Sequence, residues 1–168
     1  TTHYFWDEIE DNVVEEYDDN GNTIVSYTTE PTLYGSVLTQ DRGGEVRHYH
    51  FDGQGNTTEL TNENGNVTDT RRYDAFGQVR QSSGATDCFY KYRGQHGAYT
   101  DQTTVYVRSR FYDELVGRWL SSDRAGFIDG PSLYRFLRNR PTLLTDPSGT
   151  VSVEPGARVL DGKCGDRL

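Results

Sequence analysis

Arg110, Asp123 and Asp146 stand in that order, 13 and 23 residues apart, in a chain of 168 residues. Two carboxylates held close together do not both ionise cheaply, so they share a proton. The ionised one activates water and the protonated one polarises a carbonyl, which together amount to acid–base cleavage of a peptide bond. An arginine beside them orients a carboxylate through paired hydrogen bonds, or stabilises negative charge as it develops. If the bond to be cut lies in the same chain, positioning alone supplies about 7–11 kcal/mol. All three residues fall in one dense stretch, YVRSRFYDELVGRWLSSDRAGFIDGPSLYRFLRNRPTLLTDPSGT, after which the composition turns abruptly polar and Gly-rich.

Such residues need a scaffold, and the upstream sequence supplies one. Four segments share a form: EEYDDNGNTIV, YHFDGQGNTTEL, TNENGNVTDT and RRYDAFGQVRQ. Each runs from an aromatic or apolar strand into Asp or Asn, then Gly, then a Thr/Val-rich strand. Asn20-Gly21 and Asn64-Gly65 are hairpin signals in which both central residues tolerate positive φ. Asp-x-x-Gly elsewhere suits a type I turn closed by a left-handed glycine. Between turns the residues alternate: His48, His50 and Asp52 face one way, Tyr49 and Phe51 the other. Val67, Asp69 and Arg71 alternate in the same way with Thr68, Thr70 and Arg72. The expected fold is mainly β, an antiparallel sheet of short strands joined in a meander. Glu30-Pro31-Thr32 and Arg42-Gly43-Gly44 are breaks. One short helix is expected in PSLYRFLRNRP, with Ser132 as cap, an apolar stripe of Leu133, Phe136 and Leu137, and an end before Pro141. The seam falls at Gln81-Ser82-Ser83-Gly84. It divides a repeat region (1–84) from a terminal element (85–150) and a tail (151–168).

Composition is consistent with this. Hydrophobic residues make up 33%, yet 12% of the chain is aromatic, including 12 Tyr, with 18 Gly for turns. Disordered chains are poor in aromatics, so the pattern fits thin β-layers whose core is built from amphipathic rings. A net charge of −9 argues against nucleic acid or an anionic membrane as partner. Acidic residues crowd positions 7–19 and arginines crowd 108–140; two solvated faces are the simpler reading, mutual attraction the other. No apolar run is long enough to span a membrane, and no signal peptide is present. Thr1 is not a natural start, which suggests a processed product or an excised region.

The remaining candidates have plainer readings. Cys88 and Cys164 are enough for one disulfide and no framework. Asp18-Asp19-Asn20-Gly21-Asn22 hints at a calcium loop but lacks the later glutamate, so a hairpin is favoured. His48 and His50 lack a third metal ligand. Asn56 and Asn66 head glycosylation sequons that matter only in a glycosylating secretory route. Asp146-Pro147-Ser148-Gly149 alone would be an ordinary turn. Arg108 and Arg118 read as structural bridges to acids such as Asp113. No cofactor and no metal are expected.

Taken together, RYDAFGQ, SRFYDELVGRWLSSDRAGF and SLYRFLRNRPTLLTDPSGT resemble the RHS-repeat (YD-repeat) proteins and their repeat-associated core. The resemblance is specific over about 104–150 and looser over 15–81. It implies a β-shell of YD repeats, closed by the core as an inward plug and followed by a variable C-terminal segment. It also implies an aspartic autoprotease that frees that segment. The family's arginine falls on Arg110 and its two Asp-Pro-x-Gly aspartates on Asp123 and Asp146. The cut falls between Thr150 and Val151. Implied partners are the rest of a longer YD-repeat chain or other copies, and a C-terminal cargo. The implied location is extracellular or on the cell surface, in bacteria. The chain departs from the family twice. Arg124 replaces the first proline, which should loosen the turn and set a second cation beside Asp123. Thr150 stands where the family prefers Leu. A non-enzymatic β-module that builds a shell, appendage or adhesive surface is the other reading.

Overall fold

The computed structural model describes residues 1–9, 11–101, 103–154, 159–160 and 163–164, the last two pairs as backbone only. Eight strands form one antiparallel sheet in chain order. They are β1 (His3–Asp7), β2 (Asn12–Tyr17), β3 (Thr23–Thr29), β4 (Val37–Arg42), β5 (Glu45–Phe51), β6 (Thr57–Thr61), β7 (Val67–Tyr73) and β8 (Val79–Ser83). A second sheet holds β9 (Tyr99–Asp101), β10 (Thr104–Val107), β11 (Arg110–Asp113) and β12 (Arg118–Trp119), in the order β12-β11-β10-β9. In the tail, β13 (Val159–Leu160) pairs with β14 (Lys163–Cys164). Among the described residues no helix is long and apolar enough to cross a membrane.

The repeat turns share one geometry. In the turn after β2, Asp18 Oδ1 accepts from the N–H groups of Asn20 and Asn22, both at 2.8 Å. Asp52 does the same for Gln54 and Asn56, Asn62 for Asn64 and Asn66, and Asp74 for Phe76 and Gln78. The fourth residue is always glycine with positive φ: Gly21 at 80°, Gly55 at 79°, Gly65 at 77° and Gly77 at 100°. A register shift sits beside each turn. This is a type I turn closed by a glycine bulge. The two Asn-Gly turns adopt it too. Asn20 and Asn64 do not take positive φ, because the side chain three residues before the glycine already satisfies the loop N–H groups. Two positive-φ residues in a row occur instead at Gly43 and Gly44, between β4 and β5.

One face of the large sheet is buried under the segment that follows it. Val13, Val25, Tyr27, Val37, Tyr49 and Leu60 pack with Cys88, Tyr90 and Tyr99. A second cluster, Tyr92, Val105, Val107, Tyr112, Trp119, Phe136 and Leu137, fills the space beneath the small sheet. The tyrosine hydroxyls keep partners: Tyr27 donates to buried Glu16 at 2.7 Å, Tyr90 to Val13 O at 2.7 Å and Tyr112 to Phe76 O at 2.6 Å. Cys88 is a buried free thiol; the side chain of Cys164 lies outside the described residues. Asp18 spends its carboxylate on turn N–H groups, and His50 meets the Thr61 hydroxyl.

The expected helix is present as a single tight turn. Phe136–Asn139 is a 3₁₀ segment with no side-chain cap, and Leu137, Arg138 and Asn139 all have positive φ, between 46° and 57°. Phe136 and Leu137 are buried as expected, whereas Leu133 is half-buried. Tertiary packing explains the shape. Phe136 stacks on Tyr112 at 3.8 Å, and residues 133–135 are drawn out beside β12 by Trp119 N–H to Tyr134 O and Asp123 N–H to Leu133 O. Backbone used in that pairing is not free to coil.

Candidate functional site

The hairpin between β10 and β11 sets the position of Arg110. Val107 pairs with Arg110 across a two-residue turn of Arg108 and Ser109, and Arg108 takes a φ of 48°. Arg110 thereby turns inward, with its guanidinium over the face of Trp119 at 4.1 Å. Asp123 arrives from the end of β12, where its own N–H is fixed to Leu133 O at 3.0 Å. Asp146 arrives on the loop that follows an antiparallel bridge between Thr145 and Val153.

These three sequence-predicted residues meet. Arg110 Nη1 lies 2.8 Å from Asp123 Oδ2, and Nη2 lies 3.3 Å from Asp146 Oδ2. All three side chains are at least 95% buried. Burial pushes the Asp146 carboxyl above the ordinary carboxylate range, although Arg110 and donors from Ser148 and Thr150 pull it back. One guanidinium balances only one carboxylate, so retaining a proton on the pair is the low-charge arrangement.

The other oxygen of Asp146 gathers the loop around itself. Oδ1 accepts from Ser148 Oγ at 3.0 Å, from the Thr150 N–H at 3.0 Å and from the Val151 N–H at 3.3 Å. The nitrogen of the expected scissile bond is therefore in contact with the buried acid. A cavity of about 20 Å³ borders Asp146 and is also lined by Arg93, His96 and Thr145. Most of its wall is apolar, from Tyr92, Ala98, Val105, Val107, Phe136 and Leu137.

Asp123 does not need the missing proline. Its Oδ1 accepts the Ala125 N–H at 2.8 Å, and Gly126 N–H bonds back to Asp123 O at 3.2 Å. This side-chain-closed turn takes over the work of a fixed proline φ. Arg124 is exposed, and the cation at the Asp123 carboxylate is Arg110.

Several contributors were not read from the sequence. Ser109 Oγ lies 2.7 Å from both Ser148 O and Gly149 O, and Arg110 Nε donates to Gly149 O. Arg108 ties Pro147 O, at 2.6 Å, to His96 O, Asn12 Oδ1 and Asp11, with Tyr34 beneath its guanidinium. Its partner is thus Asp11 of the acidic cluster rather than Asp113. Arg93 reaches Gln54 O at 2.7 Å and also Pro141 O and Leu144 O. Beyond the expected cut, Asp129 Oδ2 accepts the Ser152 N–H at 2.7 Å. The only sequence signal for Ser109 was its adjacency to Arg110; Asp129 and Arg93 carried none, because their roles depend on long-range packing.

No family model matches the chain. The chain is similar to the tRNA3(Ser)-specific nuclease WapA of Bacillus spizizenii, with 30% identity over 172 residues, 96% of this chain and 7% of that protein. It is similar to toxin subunit YenC2 of Yersinia entomophaga, with 44% identity over 66 residues, 39% of this chain and 7% of that protein. The crystal structure of TcdB2-TccC3 without hypervariable C-terminal region shares the fold, with a TM-score of 0.59 at 18% identity, over 88% of this chain and 10% of that one. The chain thus spans about a tenth or less of these three proteins. A nuclease among these relatives removes the exclusion of nucleic acid drawn from net charge, which speaks only for this region's own surface. Its kinship is with bacterial proteins of the toxin kind, in which the matched region is one part of a longer chain.

Proposed function

We propose that this region is the self-processing core of an RHS-type protein and cuts its own backbone between Thr150 and Val151. The observation that carries this reading is the buried Arg110 bridge between Asp123 and Asp146, with Asp146 Oδ1 3.3 Å from the Val151 nitrogen. In this scheme Asp123 is the base for the attacking water. Asp146, raised by burial, holds the proton and delivers it to the leaving nitrogen. Arg110 keeps the two acids in register and limits their repulsion. The β-scaffold fixes all three, so the reaction needs no external substrate.

In a longer chain the segment after Thr150 would be the released cargo and the upstream repeats would extend the shell, exported to the cell surface or beyond. The specific activity of any cargo belongs to residues beyond this region. The test is the intact mass of the freshly folded chain beside Asp123→Asn. Loss of residues 151–168 in the parent alone supports the reading, and an uncut parent rejects it.

One observation favours a structural role beside this. The large sheet is open, ending in β1 and β8, and all of β8 is exposed. Open edges pair with further strands, here the rest of a repeat chain or another copy.

A further inference from the structure

The bond with the best-prepared carbonyl is the one before the expected cut. Gly149 O receives the Arg110 Nε–H, and the single proton of the Ser109 hydroxyl is divided between it and Ser148 O, each at 2.7 Å. One fixed donor and one shared hydroxyl on a carbonyl oxygen form a partial oxyanion hole. The nitrogen of that bond, Thr150 N, lies 3.0 Å from Asp146 Oδ1. The residue bearing that nitrogen also has a hydroxyl, where the related family prefers leucine. Thr150 Oγ1 is 2.7 Å from Ser148 Oγ, which donates to Asp146 Oδ1 at 3.0 Å. Ser148 has one proton and gives it to Asp146, so Thr150 is the donor in its contact with Ser148. A proton path therefore runs from the Thr150 hydroxyl through Ser148 to a buried carboxylate.

We propose that Thr150 is a second nucleophile of this loop, cutting the Gly149–Thr150 bond by shifting the Gly149 acyl group from nitrogen to oxygen. The proposal rests on the self-cleavage reading above in using the same loop and the same acid. It differs in needing no water for its first step and in starting from ionised Asp146.

The atoms balance as follows. Thr150 Oγ1 forms a bond to the carbonyl carbon of Gly149, and its proton passes through Ser148 to Asp146 Oδ1 in the state where Asp146 is ionised and the proton shared by the pair lies on Asp123, the reverse of the state that serves the cut after Thr150. Negative charge collects on Gly149 O, opposite Arg110 Nε and Ser109 Oγ. The C–N bond to Thr150 then breaks, and Asp146 returns the proton to the departing nitrogen through the same Oδ1. The result is an ester between Gly149 and the Thr150 side chain, with a free amine on Thr150. Solvent water hydrolyses the ester to a Gly149 carboxylate and restores the Thr150 hydroxyl. Threonine activated by an adjacent base is an established form of nucleophile.

Glycine is required before this bond. Gly149 has φ 71°, and a Cβ there would lie 2.2 Å from Val107 O and 2.8 Å from Ser109 Oγ. The close approach that puts the carbonyl on its donors excludes any side chain.

The experiment compares the full chain with Thr150→Ser and Thr150→Val. It reads intact mass and the N-terminal residue of the released fragment, with and without neutral hydroxylamine. The parent is expected to release a fragment beginning at Thr150. Hydroxylamine should accelerate that release and leave a hydroxamate on Gly149. Thr150→Ser should retain this cut, and Thr150→Val should lose it. A parent fragment beginning only at Val151 overturns the proposal and leaves the aspartate reading standing. A cut before residue 150 that persists in Thr150→Val overturns it in favour of direct hydrolysis. A parent that stays whole overturns both readings.

Discussion

The carboxylate of Asp146 accepts the backbone N–H of Val151, five residues further along the same chain, at 3.3 Å. A group that closes its own loop is thus placed at the nitrogen that would leave in the proposed cut. The acid and that bond are parts of one turn, and Arg110 adds Asp123 to them from the opposite side.

Arg110 is the first test of that arrangement. Removing it leaves two buried carboxylates without a cation, and breaking a buried pair costs about 3–5 kcal/mol. Arg110→Ala should lower the urea midpoint by a matching amount and abolish self-cleavage. Arg110→Ala with an unchanged midpoint would mean that the bridge contributes nothing to stability.

Gly149→Ala should fail for a reason independent of charge. The added methyl would meet Val107 O at 2.2 Å, and backbone there has no flexible end to yield. With positive φ as well, the expected cost is about 1–3 kcal/mol, together with loss of any cut in the loop. Thermal unfolding and intact mass measure the two effects separately.

The repeat turns predict a graded response. Asp52 supports the turn whose Asn56 side chain is buried and accepts the Arg93 N–H at 3.1 Å. Asp52→Ala orphans the Gln54 and Asn56 N–H groups and the Asn56 side-chain amide, and should destabilise by about 1–3 kcal/mol. Asp18, on an exposed turn, behaves differently with pH. Hydrogen bonds from Asn22, side chain and then backbone, lower its pKa from 3.8 to about 2. A depressed carboxylate stabilises the folded state above the unfolded pKa, and that contribution is lost as pH falls from 3.8 through about 2. Asp18→Asn should remove this acid-side dependence in carboxyl titrations followed by NMR.

Glu16 carries the opposite sign. Burial raises its pKa above 4.5, against hydrogen bonds from Tyr27 and Tyr99 that lower it. The folded state then binds more protons than the unfolded one, so this group destabilises as pH rises through the folded value. Glu16→Gln should raise the thermal midpoint at neutral pH and lose that advantage below about pH 4.5. A variant equally destabilised at both pH values would show that Glu16 matters for packing alone.

The parts legible in sequence were those set by local rules. Aspartate or asparagine three residues before glycine marked the turns, and alternation set Tyr49 apart from His48 and His50 and grouped Asp69 with Arg71, all three buried, but also with Val67, which is 53% exposed at the start of β7. The resemblance of the motifs over about 104–150, rather than any local rule, marked Arg110, Asp123 and Asp146, the three residues that meet. Where several local solutions were open, neighbours decided. The Asn-Gly turns followed the flanking Asx geometry, and the amphipathic PSLYRFLRNRP was pulled straight by β12 before it could coil. Arg124 appeared to threaten Asp123 only because sequence adjacency says nothing of side-chain direction. Ser109, Asp129 and Arg93 act across separations of 23 to 51 residues, which no short pattern records.

The most direct test of the account is a refolding experiment on two chains together. The parent and Asp146→Asn, distinguished by mass labelling, are diluted from denaturant at several concentrations and followed by intact mass. The account predicts first-order loss of the tail from the parent, at a rate independent of concentration, while the Asp146→Asn chain stays whole in the same tube. A parent that remains at full mass, or an Asp146→Asn chain that is cut alongside it, would contradict it.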